Sequence, residues 1–125
     1  MFAWRGDEVL ICDIMGRGWC VPSGRVEPNE SSMEASLREA REEAGAIVKD
    51  VQYIGSFQIT EKRDVRWADC FTAHVEDLAE IQAITESRGR KFVTVDLLPT
   101  TYHEWNELTS RVFAHSLEIL RRAEK

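Results

Sequence analysis

From Ser31 to Gly45 the chain carries two opposed stripes at helical spacing. Met33, Leu37, Ala40 and Ala44 recur at intervals of four, three and four, which is one face of an α-helix. Glu39, Glu42 and Glu43 stand at i, i+3 and i+4 on a face of opposite character, so three carboxylates project from neighbouring turns. Start and stop signals bracket the same segment. Ser31 with Glu34 three residues on makes a capping box, and Gly45 falls where a left-handed residue ends a helix. A helix divided in this way must lay its apolar stripe on a core and open its acidic stripe at a site.

Crowding of like charges costs a few tenths of a kcal/mol per pair on an isolated helix, and more away from water, unless a cation neutralises it. All-oxygen carboxylate ligation suits a hard ion, Mg2+ or Mn2+, rather than zinc. The chain as a whole is acidic too, with 16 Lys and Arg against 22 Asp and Glu and a formal charge of -6. That balance disfavours stable binding to nucleic acid or to anionic lipid. Such a surface binds a small polyanion through divalent metal, and diphosphates are the natural guests. A metal on phosphate oxygens withdraws charge from phosphorus and eases the ionisation of water. The cluster therefore predicts metal-assisted hydrolysis of a phosphoanhydride.

The remainder reads as strands around that helix. Glu8 to Ile14 is a short, β-branched apolar run, and the turn Arg5-Gly6-Asp7 folds it back on Phe2 to Trp4 as a hairpin. That partner is unusually short, so the expectation is either a short first strand or a chain that begins partway into it. Met15 to Gly18 turns again, and Trp19 to Gly24 leads into a loop from Arg25 to Asn29. Val51 to Thr60 and Arg66 to Val75 should pair antiparallel across the charged turn Glu61-Lys62-Arg63-Asp64. Lys91 to Leu97 is a further strand, stopped by Pro99. Thr101 with Glu104 offers a second capping box, for a terminal helix whose stripe of Trp105, Leu108, Val112, Ile119 and Leu120 serves either the core or a homodimer. Interleaved strands with one central and one terminal helix predict a mixed β-sheet covered by helices, an α/β or α+β sandwich, and 125 residues make one domain.

Three cysteines, Cys12, Cys20 and Cys70, form no Cys-x-x-Cys pair, and their odd number favours a reducing compartment. They are read as small buried hydrophobes. His74 belongs to a strand, and His103 and His115 to the terminal helix, none with metal-ligand spacing. No apolar run spans a membrane, and the N-terminus lacks signal-peptide order, so the expected location is the cytoplasm.

Around the acidic face the residues spell Gly24, five residues, Glu30, seven residues, Arg38-Glu39-Ala40, one residue, Glu42-Glu43, one residue, Gly45-Ala46. This pattern resembles the Nudix box. With seven fixed residue types at background frequencies of roughly 7% or less each, a chance match at one register is on the order of 10^-8. Trp19, Pro22, Val26 and Glu27 look like the usual lead-in. The resemblance implies an α/β/α sandwich whose loop-helix-loop binds divalent metal and cleaves a nucleoside diphosphate linked to another moiety. It makes Glu42 and Glu43 metal ligands, Glu39 a ligand or catalytic base, Glu30 a holder of metal or of loop geometry, and Arg38 an orienter of the glutamates. The carbonyl of Ser23, before the box glycine, would complete the metal shell.

Ser23 and Asn29 replace frequent glycines of the lead-in, and Ala46 is a small version of the expected aliphatic residue. A positive φ at Ser23 would be costly. Glu86, six residues before Phe92, matches the extra acid that many members recruit from a loop before a late strand; the bland alternative is a solvated glutamate. On the substrate side, Trp67 and Phe57 are candidates to stack a base, and Lys62, Arg63 and Arg66 to meet phosphates. Strand aromatics are more often core and turn charges more often solvated, and packing is the safer reading for Trp19. The resemblance points to a nucleoside triphosphate or related nucleotide, as in small MutT-like members. A binding or regulatory module without turnover is the alternative, although such modules usually lose box glutamates and this chain keeps all four.

Overall fold

The computed structural model describes residues 1–61, 63–83 and 85–124, the side chain of residue 61 excepted. Lys62 thus lies outside the described residues. Six strands form one mixed sheet: β1 (Phe2–Arg5), β2 (Glu8–Ile14), β3 (Gly18–Cys20), β4 (Ala46–Glu61), β5 (Asp64–Leu78) and β6 (Ser87–Thr94). The helices are α1 (Ser32–Ala44), a single turn α2 (Leu98–Thr101) and α3 (Glu107–Ala123). None of these is long and apolar enough to cross a membrane.

β2 is the organising strand. Its register with β6 runs from Glu8↔Thr94 to Ile14↔Ser87, which occupies one edge over the strand's full length. β1 (Trp4↔Val9, Arg5↔Glu8) and β3 (Cys12↔Cys20 to Ile14↔Gly18) therefore share the other edge end to end. β5 then lies parallel to β1 from Phe2↔Thr72 to Trp4↔His74 and antiparallel to β4. The first half of β5, from Asp64 to Cys70, and the chain leaving β3 line opposite sides of one cleft.

The two-residue strand period sorts the core onto two faces. On one, Ala3, Leu10, Cys12, Ile14, Phe71 and Ala73 pack with Ala40 and Ala44 of α1. On the other, Phe2, Trp4, Val9, Ile11 and Val93 pack with Leu98 and with Phe113 and Leu120 of α3. The sheet is thus covered on both faces, as the predicted sandwich requires. Two buried polar groups are satisfied across the second face: Trp4 Nε1 donates to Ser116 Oγ at 3.0 Å, and Thr72 Oγ1 donates to the Ser116 carbonyl at 2.9 Å.

Several expectations need correction. The stripe that α1 buries is Ala35, Ala40 and Ala44, whereas Met33 and Leu37 are 40% and 36% exposed. The terminal helix starts later than the Thr101–Glu104 pattern predicts: its cap is Asn106, whose side chain accepts the Thr109 amide. Tyr102 and His103 are instead drawn out of helix by β3, with the His103 amide donating to the Trp19 carbonyl at 2.8 Å. His103 and Trp105 thus precede the helix. Leu108 is exposed, and the face that α3 buries is Phe113, Ser116 and Leu120. The late strand is Ser87–Thr94, shifted back from Lys91–Leu97, and residues 95 to 97 turn into a 3-10 helix.

Candidate functional site

α1 begins as its sequence demands. Ser31 Oγ accepts the Glu34 amide while Glu34 Oε1 accepts the Ser31 amide, and at the other end Gly45 adopts φ 63°. A loop then docks on that end: the Ala79 amide donates to Gly45 O, the Gln82 amide to Glu42 O, and Arg90 Nη1 to the carbonyls of Ala44 and Ala79. Fixed at both ends, the helix presents its carboxylates to the loop that follows β3.

Arg38 is the hub of that face. Its Nε and Nη2 donate to Glu30 Oε2 and Oε1 at 2.8 and 3.1 Å, a forked pairing. Nη1 reaches Glu39 Oε1 at 2.7 Å and Glu42 Oε2 at 3.2 Å, and Nη2 also donates to the Arg25 carbonyl at 3.0 Å. The hydrogen bonds to Glu30 lead in holding the guanidinium more firmly protonated than usual, and they hold the Glu30 carboxyl below its ordinary value. A cation of the chain itself therefore relieves much of the crowding at Glu39 and Glu42.

Glu43 is placed differently. Its Oε1 accepts the Ser23 amide at 2.9 Å, and burial, aided by Glu39, pushes its carboxyl up to about 7. Burial also raises Glu39. Gly24 explains the close fit of loop and helix: a methyl group on its Cα would overlap the Glu39 carboxyl group. Ser23 avoids left-handed backbone, since Asn29 (φ 66°) and Asp50 (φ 55°) are the non-glycine residues at positive φ among those described. Asn29 thus takes the conformation that the missing glycine would take, a role asparagine tolerates. Ala46, the other departure, is buried.

Glu39 and Gly24 line this cleft beside β5, of about 1010 Å³. Its walls include Ser32 and Ser36 of α1, Phe57 and Ile59 of β4, Val112 and Phe113 of α3, and every residue of β5 from Asp64 to Cys70. Trp67 is 68% exposed there, so it is no core residue. Arg66 and Phe57 also reach this cleft, and Arg63 is exposed at the hairpin turn. Trp19 packs against the core, as the safer reading had it.

The structure thus brings together Ser23, Glu30, Arg38, Glu39, Glu42 and Glu43. Glu86 is exposed in the bend just before β6, with its carbonyl accepting the Met15 amide at 2.9 Å. Tyr102 belongs to the site region and was missed because it was read as helical. Its hydroxyl accepts the Val21 amide at 3.2 Å, tying down the lead-in loop, and burial pushes its ionisation up to about 12.

Among the described residues, no three His, Cys, Asp or Glu side chains converge closely enough as they stand to hold a metal ion. Arg38 draws Glu39 and Glu42 to one side, and the Ser23 amide draws Glu43. The donor set itself fits a hard cation: it is all oxygen, and burial leads in raising the carboxyls of Glu43 and Glu39, a cost that a nearby cation would offset.

The model of the NUDIX domain matches residues 2–113. The chain belongs to the Nudix family. The acidic helix and the loop before it are accordingly its Nudix box. A putative 8-oxo-dGTP diphosphatase, YtkD, of Bacillus subtilis (strain 168) is 34% identical over 106 residues, covering 85% of this chain and 61% of its own length. Nudix hydrolase 21, chloroplastic, of Arabidopsis thaliana is 37% identical over 92 residues, 70% of this chain and 46% of its own. The chain therefore spans about half to three-fifths of these Nudix relatives. A crystal structure of the Bacillus subtilis pyrophosphohydrolase BsRppH superposes with a TM-score of 0.72 at 28% identity, covering 98% of this chain and 78% of that one.

Proposed function

We propose that this chain is a metal-dependent Nudix pyrophosphohydrolase that cleaves a phosphoanhydride bond in a nucleoside triphosphate or another nucleoside diphosphate derivative by attack of water. The observation that carries this reading is the carboxylate cluster organised by Arg38, with Glu39 forming part of the wall of a cleft roomy enough for a nucleotide. Relatives named as a diphosphatase and a pyrophosphohydrolase support the same bond type.

Glu42 and Glu43 would hold Mg2+ or Mn2+, with Glu39 as a further ligand or as the catalytic base and with Glu30 and the Ser23 carbonyl in support. A divalent ion supplies Lewis-acid polarisation of phosphate oxygens and eases the ionisation of water. The chain does the rest. Arg38 keeps Glu39 and Glu42 aimed, and the Glu39 carboxylate takes the proton of the attacking water. Gly24 leaves room for that carboxylate, and Glu86 joins as a further acid from its loop. No covalent enzyme intermediate is needed.

The test is a panel of nucleoside triphosphates, dinucleoside polyphosphates and nucleotide sugars with Mg2+ or Mn2+, assayed for phosphate release and read by mass spectrometry of the products. Metal-dependent cleavage at an anhydride is expected. Failure across the panel, or cleavage indifferent to EDTA, would remove the proposal.

A further inference from the structure

Glu42 and Glu43 stand in the last turn of α1, which ends at Ala44. A helix leaves its last four carbonyls without partners of its own, and such an end frays unless other groups meet them. Where those carbonyls find donors therefore decides how firmly the two carboxylates are held. The Arg41 carbonyl accepts the Gly45 amide at 3.0 Å, which is the helix's own cap, but the next partners come from elsewhere in the chain. The Glu42 carbonyl accepts the Gln82 amide at 3.3 Å, and the Ala44 carbonyl accepts Arg90 Nη1 at 2.8 Å.

The same nitrogen of Arg90 also donates to the Ala79 carbonyl, so one guanidinium joins the helix end to the loop after β5. The Ala79 amide returns a hydrogen bond of 2.6 Å to the Gly45 carbonyl. That loop is braced against β6, since Thr85 Oγ1 donates to the Gln82 carbonyl at 2.9 Å and accepts the Ser87 amide at 3.3 Å. Arg90 lies opposite Cys12 of β2, a buried residue, so the clamp is rooted in the core of the sheet. Gly45 records how closely the parts meet: a Cβ there would overlap both the Ala79 carbonyl and Arg90 Nη1. A cation in this place also suits the partial negative charge of a helix C-terminus. Arg38 aims the side chains of Glu39 and Glu42, whereas Glu43, bonded to the Ser23 amide, is carried by the backbone of this last turn.

We propose that Arg90 is a positioning residue: it clamps the last turn of α1 to the loop after β5 and so fixes where Glu42 and Glu43 stand to receive a divalent ion. It acts through backbone carbonyls, not by touching metal or substrate. The inference rests on the hydrolase reading for the role of those two carboxylates.

Arg90→Met keeps the apolar stem and removes the donors, and Arg90→Lys keeps the charge but shortens the reach. Each should be compared with wild type by titration with Mn2+ alone, read by electron paramagnetic resonance, and by amide hydrogen exchange and a thermal melt of the metal-free chain. In Arg90→Met the Kd for Mn2+ should rise roughly tenfold or more, the usual cost of losing a group that orients ligands, with a smaller rise in Arg90→Lys. The Gly45, Ala79 and Gln82 amides should exchange roughly tenfold faster or more while those of β2 keep their protection. Unchanged Mn2+ affinity overturns the inference, as does unchanged exchange at these three amides. Faster exchange throughout the chain with a matching drop in Tm would give Arg90 a role in the fold only, and overturns it too. If Arg90→Met does not fold, Arg90→Lys decides by the same two measures. A wild type that binds no Mn2+ defeats the hydrolase reading as well, whereas a metal-binding wild type matched by its variants defeats this inference alone.

Discussion

Arg38 grips Glu30 with two hydrogen bonds, Nε to Oε2 at 2.8 Å and Nη2 to Oε1 at 3.1 Å, while its remaining nitrogen holds Glu39 and Glu42. A lysine keeps the charge but not the fork. Arg38→Lys should therefore lower kcat by roughly 10- to 100-fold, the usual cost of losing a group that orients ligands. The fold should survive, since the helix caps and the alanine face are untouched. Steady-state kinetics beside a thermal melt decide it: a large drop in Tm would assign Arg38 a structural role instead.

Glu42→Gln and Glu43→Gln each remove a charge from the acidic face without touching the buried alanines. We predict turnover falling roughly a hundredfold or more, with circular dichroism unchanged. Glu86→Gln, on its separate loop, should cost less than either. EDTA should abolish activity and Mg2+ or Mn2+ should restore it. Full activity in the Glu42 or Glu43 variant would refute their proposed roles.

Glu43 also predicts a pH dependence. Burial raises its carboxyl from 4.5 to about 7, so the folded chain binds this proton more tightly than the unfolded chain. The resulting stability is fully present below pH 4.5 and is lost as the pH rises through about 7. In EDTA, the Tm should fall between pH 5 and pH 8 from this group, and Glu43→Gln should flatten that slope. An identical slope in the variant would place the effect elsewhere.

Ser116 accepts the buried Trp4 indole N–H on its hydroxyl. Ser116→Ala strands that donor in the core, at a cost of about 1–3 kcal/mol. Urea denaturation should report it, with kcat unchanged; equal midpoints would show that Trp4 finds another partner.

How far these features could be read from the sequence depended on whether their causes were local. The ends of α1 were legible because caps are local chemistry: Ser31, Glu34 and Gly45 do what their types dictate. The α3 start was not, because the hydrogen bond from His103 to Trp19 comes from a strand far back in the chain and outweighs the Thr101–Glu104 signal. Met33 and Leu37 misled because periodicity shows a stripe but not which flank meets the sheet. The six clustered site residues followed from spacing along one helix and its loop. Trp67 could not be placed, since its type alone argued for burial, whereas it lies 68% exposed on the cleft wall. Asn29 was legible as a substituted glycine, and its φ of 66° predicts that Asn29→Gly is tolerated while Asn29→Ala costs roughly 1 kcal/mol.

The bare Cα of Gly24 has a last consequence. With only a hydrogen between loop and carboxylate, any side chain at position 24 would have to push the end of Glu39 aside, so the loop after β3 limits where that carboxylate can lie. Redesign of selectivity is therefore better begun at the far wall of the cleft, where it leaves this fit alone.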